Sequence, residues 1–250
     1  MSILIKNGRV IDPANRVDEV MDILIEGDKI SKVAKGIKCP ADKVIEAADK
    51  IVIPALVDLH AHLREPGRED KETVLSATRA ALKGGVTTIL AMPNTSPAMD
   101  SPANVTLLRE IIRRDAQVNV FICGAITRAR QGKELTDIAG LKKAGVSAIS
   151  DDGSAVDDEK LFLEALRKAK EENVLVTCHC EDRVLSNNGV VNLGFTSTRL
   201  GLRGISRESE YKRIERDILL AKKSGSPIHI AHISVKESVE IIAQAKKKGV

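Results

Sequence analysis

Leu82-Lys83-Gly84-Gly85-Val86, running into the apolar stretch 87–91, holds a helix end, a glycine cap and a buried strand start in one short segment. Basic side chains suit the negative end of a helix, and glycine ends a helix in the left-handed conformation without a steric penalty. The same signature returns at Lys142-Lys143-Ala144-Gly145-Val146 and at Lys222-Lys223-Ser224-Gly225. It also closes the chain, in Lys246-Lys247-Lys248-Gly249-Val250, and there it predicts that another strand follows.

Outward from these returns, short apolar strands are expected near 56–59, 87–91, 119–123, 147–149, 175–178 and 228–231. Amphipathic helices such as 161–171 and 210–222 lie between them. Short buried strands alternating with helices imply a parallel sheet. No glycine-rich dinucleotide turn follows the first strand, which favours a closed barrel over an open doubly wound sheet. The expected class is α/β: residues 55–250 as a (β/α)8 TIM-like barrel represented by its first six units, stopping before strands seven and eight. Residues 1–54 read differently, as a small β-sandwich portion with strands at 3–6, 9–11, 22–26, 29–33 and 44–46. Asn7-Gly8 and Gly27-Asp28 supply turn chemistry between them.

Composition narrows the function classes. Of 250 residues, 39 are basic and 35 acidic, a net charge of +4 that is spread along helices, and aromatics are 2%. That combination argues against a nucleic-acid groove, which needs basic clusters and stacking platforms. No apolar run approaches the ~18 residues of a membrane span, and the opening Met1-Ser2-Ile3-Leu4-Ile5-Lys6-Asn7-Gly8 runs into a strand without a cleavable signal design. Cys39, Cys123, Cys178 and Cys180 form no disulfide framework by spacing and read as small buried residues in a reducing cytoplasm.

The chemistry-bearing segment is Asp58-Leu59-His60-Ala61-His62-Leu63-Arg64-Glu65-Pro66-Gly67. Side chains two apart on a strand share a face, so His60 and His62 both point to one side at the C-terminal end of the first barrel strand. Two imidazoles there suit a divalent metal such as zinc, while a hydrogen-bonded pair of core histidines is the alternative on this segment alone. Of the five histidines, four fall at or near strand ends. His179 ends strand five. His229 and His232 lie three apart on strand six, so at most one faces inward, and His232 is the better choice because it precedes a helix opened by a capping box, Ser234-Val235-Lys236-Glu237. His229 is expected to pack or to make a structural hydrogen bond. Strand four ends in Ile149-Ser150-Asp151-Asp152-Gly153, whose carboxylates read either as a turn or cap or as a ligand able to bridge two ions.

With these segments in place the chain resembles the dihydroorotases of the long, bacterial-type class, within the amidohydrolase superfamily. The likeness rests on the HxHLREPG segment at 60–67, Met92-Pro93-Asn94-Thr95, Ser150-Asp151-Asp152-Gly153-Ser154, His179-Cys180-Glu181-Asp182 and His229-Ile230-Ala231-His232-Ile233-Ser234, and it covers nearly the whole chain. The resemblance implies one or two Zn2+ ions per subunit, with His60 and His62 at one site, His179 and His232 at the other, and Asp152 bridging. Asp-Asp-Gly stands where many relatives carry a carbamylated lysine, which separates the chain from typical hydantoinases and allantoinases. His62, Arg64 and Asn94 are implied to bind the substrate, and a guanidinium fork suits a carboxylate. Ala55 departs from the glycine usual after Pro54.

The implied reaction is reversible hydrolysis of (S)-dihydroorotate to N-carbamoyl-L-aspartate in pyrimidine synthesis. The family's acid–base aspartate is expected beyond Val250, so the 250 residues alone are expected to be inactive. Implied partners are the small-molecule substrate, further copies of the chain in a homo-oligomer, and aspartate transcarbamoylase. Two other readings are a hydantoinase- or allantoinase-type specificity and a non-catalytic scaffold for the transcarbamoylase.

Overall fold

The computed structural model describes residues 1–250, which divide into two compact units, Met1–Leu56 and Val57–Val250. In the first, alternating branched residues build one mixed sheet. Its strands are β1 (Ser2–Asp12), β2 (Val17–Glu26), β3 (Lys29–Ala34), β4 (Lys43–Glu46) and β5 (Ile51–Val52), in the order β3-β2-β1-β4 with β5 also on β1. Gly27-Asp28 makes the β2–β3 hairpin turn as expected, with Gly27 at φ 65°.

Asn7-Gly8 does not turn the chain. It is a register irregularity inside a continuous β1, between Ile5 and Gly8. The buried Asp22 carboxylate accepts the displaced Asn7 N–H at 2.9 Å and the Ile37 N–H at 2.8 Å. Glycine is required at position 8 because a Cβ would meet the Val52 side chain at 2.5 Å.

In the second unit the main strands are β6 (Leu56–Ala61), β7 (Val86–Ala91), β8 (Asn119–Gly124), β9 (Val146–Ile149) and β10 (Leu175–Cys178). A short pair, β11 (Val191–Asn192) and β12 (Gly204–Ile205), comes next, and β13 (Ile228–Ile230) completes the main set. The six-stranded sheet runs β6-β7-β8-β9-β10-β13, so each barrel strand lies beside its predecessor. An open doubly wound sheet would reverse direction partway along. The helices are α1 (Val74–Lys83), α2 (Pro102–Asp115), α3 (Ile138–Ala144), α4 (Glu159–Glu171), α5 (Arg183–Ser186), α6 (Phe195–Leu200), α7 (Glu208–Ser224) and α8 (Lys236–Lys247). Ile89, Ile122, Ile149 and Val176 of the strands pack with Leu108, Leu141, Phe162, Leu166 and Ile214 of the helices in one buried core. No helix is long and apolar enough to cross a membrane.

The returns that signalled the barrel behave as caps. Gly145 ends α3 at φ 104°, its N–H bonding Leu141 O and Lys142 O, and Gly225 ends α7 at φ 64°. A Cβ on Gly145 would approach only the Arg109 guanidinium, at 3.6 Å, so Gly145→Ala would suffer from conformation and not from a clash. The expected result is a loss of about 1 kcal/mol in a urea unfolding experiment. An unchanged or raised midpoint would count against the left-handed cap.

Candidate metal centre

Every residue of the centre stands at or just past the C-terminal end of a barrel strand. Consecutive strands of a parallel sheet bring those ends together, although the residues span 60 to 232 in the chain. His60 Nε2 lies 3.2 Å from Asp152 Oδ1, His179 Nδ1 3.3 Å and His232 Nε2 3.7 Å from the same oxygen. His62 Nε2 lies 3.5 Å from the other oxygen, Oδ2. The ligating atoms of His60, Asp152 and His232 fall within 4.8 Å of one another, and His179 Nδ1 is 2.9 Å from His232 Nε2. Glu181 adds a carboxylate oxygen 3.6 Å from the remaining ring nitrogen of His179.

The paired aspartates divide the work. Asp151 is turned into the fold, accepting the Ile126 N–H at 2.9 Å, the Thr127 N–H at 3.0 Å and the Thr127 hydroxyl. Burial raises its pKa, and those bonds oppose the rise. Asp152 faces the imidazoles. Burial alone would raise its pKa too, but hydrogen bonds from His179, His232 and His60 hold the carboxyl far below the ordinary carboxylate range. Its amide donates to Ser150 Oγ at 3.0 Å and its carbonyl accepts from Arg130 Nη1 at 2.6 Å.

His232 reaches the centre by a route that strand alternation does not describe. β13 stops at Ile230, and His232 has φ 36°, a left-handed conformation that re-aims the ring beyond the strand. His229 lies in register beside Thr177, its ring makes no hydrogen bond, and its pKa is lowered by burial and by the charge of His60. The expected capping box is absent. Ser234 spends its N–H and its hydroxyl on Glu210 of α7, at 3.0 and 2.6 Å, and Glu237 pairs with Arg207. Glu210 also accepts from the Val235 N–H at 3.2 Å and the Ser238 hydroxyl at 2.7 Å, so α8 is capped from another helix. Elsewhere along α7, Ser209 O accepts the Asp182 N–H at 2.8 Å, Arg213 pairs with Asp157, Arg216 donates to Val156 O at 2.8 Å, and Asp217 accepts from Cys180 Sγ at 3.4 Å.

Asn94 joins the centre directly. Its Oδ1 is 2.9 Å from His62 Nδ1 and its Nδ2 3.5 Å from Asp152 Oδ2. The arrangement puts the proton of neutral His62 on Nδ1 and leaves the Nε2 lone pair facing a carboxylate. Burial lowers the His62 pKa and favours that neutral form, and the charge of Arg64 acts in the same direction. Two electron-rich atoms facing each other are relieved by a cation between them. His60 Nδ1 is in addition buried without a partner. Imidazole nitrogens from four residues converging on one low-pKa carboxylate form a donor set that fits a zinc-type ion. Arg64 is half-buried and free of any ion pair. A cavity of about 280 Å³ opens beside His179 and His232, with Asn192, Ser206 and Glu181 in its wall.

Comparison with known proteins agrees with this geometry. The sequence model of the family described as Dihydro-orotase-like matches residues 49–238. The chain belongs to the dihydroorotase-like family. The dihydroorotase of Elusimicrobium minutum (strain Pei191) is 53% identical over the whole chain, which covers 58% of that relative. That of Geotalea daltonii is 47% identical, with 59% of its length covered. The chain thus spans less than two thirds of the curated relatives it matches. Among solved structures, the L-hydantoinase (dihydropyrimidinase) from Arthrobacter aurescens superposes with a TM-score of 0.82 at 20% identity, covering 99% of this chain and 56% of that one. The D-hydantoinase (dihydropyrimidinase) from Thermus sp. gives 0.75 at 24%, covering 99% and 56%. These likenesses show the barrel fold of the dihydroorotase-like chain.

Arg130, Glu181 and Glu210 were not singled out as site residues by sequence. Glu181 lies past the end of β10 at Cys178, where strand alternation no longer applies, and Arg130 and Glu210 act through the main chain of distant loops; none of the three leaves a local signal.

Proposed function

We propose that the protein to which this chain belongs is a zinc-dependent dihydroorotase, interconverting (S)-dihydroorotate and N-carbamoyl-L-aspartate in pyrimidine synthesis. The observation that carries the reading is the convergence of His60, His62, His179 and His232 on the Asp152 carboxylate in a member of the dihydroorotase-like family. His60, His62, Asp152, His179 and His232 would hold one or two ions, which when bound supply Lewis acidity at the scissile carbonyl.

The chain's own groups do the rest that these residues support. Asn94 fixes the His62 ring by accepting from Nδ1 and so sets which nitrogen faces Asp152. Arg64, with no carboxylate of its own, offers a guanidinium fork to the carboxylate of an acidic ring, together with Asn94 and His62. Composition supports a cytoplasmic setting. The resemblance supports a homo-oligomer and an aspartate transcarbamoylase partner, which size analysis and co-purification would test.

The test of function joins this chain to the remaining part of the Elusimicrobium minutum relative. The chimaera is expected to open dihydroorotate, to lose that activity to a chelator and to recover it with zinc. Stoichiometric zinc without ring opening would overturn the proposed reaction. Preference for uncharged hydantoins would favour a hydantoinase, and absence of zinc a scaffold.

A further inference from the structure

The loop after β8 carries a left-handed conformation at two successive residues that are not glycine, Ala129 (φ 48°) and Arg130 (φ 55°). Such backbone persists only where its surroundings over-determine it. Here they do. The Ala129 N–H donates to Asp100 Oδ2 at 2.9 Å, the Arg130 N–H to Thr127 O at 2.9 Å, and Arg128 pairs with Glu134 at 2.9 Å.

What the conformation delivers is one guanidinium. Arg130 Nη1 donates to Asp152 O at 2.6 Å, and Arg130 has no ion pair of its own. Its Nε is buried and unpartnered, so the side chain is held by that single contact and by packing. A Cβ on Gly153 would lie 3.6 Å from Arg130 Nη1 and 3.5 Å from Asn94 Nδ2, so donors from two different loops close on the peptide that follows Asp152. The Asp152 amide is already anchored on Ser150. Its carbonyl has only Arg130.

We infer that Arg130 is a positioning residue for Asp152: it fixes the carbonyl of the shared carboxylate's residue, and with it the direction in which that carboxylate meets the four imidazoles. The inference deepens the metal reading, and one arm of its test needs no metal. Arg130→Met, Arg130→Lys and, as a control, the exposed Lys133→Met of the same loop are compared with the parent chain. Amide hydrogen exchange at residues 150–154 is followed in metal-free protein, and zinc affinity is measured by competition with a chelator.

Arg130→Met is expected to speed exchange at 150–154 by about ten-fold. Zinc affinity should weaken by about 10–100-fold, the usual consequence of losing a partner that orients a metal ligand. Arg130→Lys, which can still donate to the carbonyl, should recover part of both, and Lys133→Met should change neither. Parent-like exchange and affinity in Arg130→Met would overturn the inference. So would an equal loss in Arg130→Lys, or exchange raised throughout the chain, which would make Arg130 a general support of the fold. If the parent binds no zinc, the metal reading falls, and exchange at 150–154 decides the role of Arg130.

Discussion

Asp152→Asn is expected to weaken zinc binding by about 10²–10⁴-fold, because breaking a buried charge pair costs roughly 3–5 kcal/mol. The substitution preserves the outline of the side chain and removes its charge. Asp152 is nearly inaccessible, and both of its oxygens are engaged, Oδ1 by His60, His179 and His232 and Oδ2 by His62 and Asn94. No other carboxylate faces all four rings. Chelator competition reads the effect, and parent-like affinity in the variant would remove Asp152 from the centre.

Its neighbour should behave in the opposite way. Asp151→Ala leaves the Ile126 N–H, the Thr127 N–H and the Thr127 hydroxyl without an acceptor, and Asp151 is only 3% exposed. Each unsatisfied buried group costs ~1–3 kcal/mol, and neighbours in one network do not add fully, so a loss of about 3–5 kcal/mol is expected. Guanidinium unfolding of metal-free protein measures it. A loss below about 1 kcal/mol would mean that the 126–127 loop finds another acceptor for those donors.

The contrast between these aspartates also marks the limit of reading letters alone. Two adjacent carboxylates at a strand end are equivalent on paper; the closure of the 126–127 loop over one of them assigns the other to the centre. The barrel was legible because helix caps and buried strands leave local, repeating patterns, and β13 was the sixth such strand. His60 and His62 were legible for the same reason, since a period of two holds along and just beyond β6. His232 does lie beside Asp152, but strand alternation is not what brings it there. The alternation argument treats it as part of a strand that has already ended at Ile230, and the helix behind it is capped by Glu210 instead of its own Ser234. Asn7-Gly8 shows a similar failure: its composition suits a turn, yet a buried Asp22 can absorb the irregularity and let β1 continue. The segment holding α5, β11, α6 and β12 has elements too short for any period to register.

Helix α7 contacts the loops that follow three different strands, at Val156 and Asp157, at Cys180 and Asp182, and from Ser234 to Ser238. A single rigid rod therefore acts as a common ruler for chain segments on which Asp152, His179 and His232 depend. A small slide of that rod is expected to shift the three segments together, whereas three independent anchors would let their spacing drift.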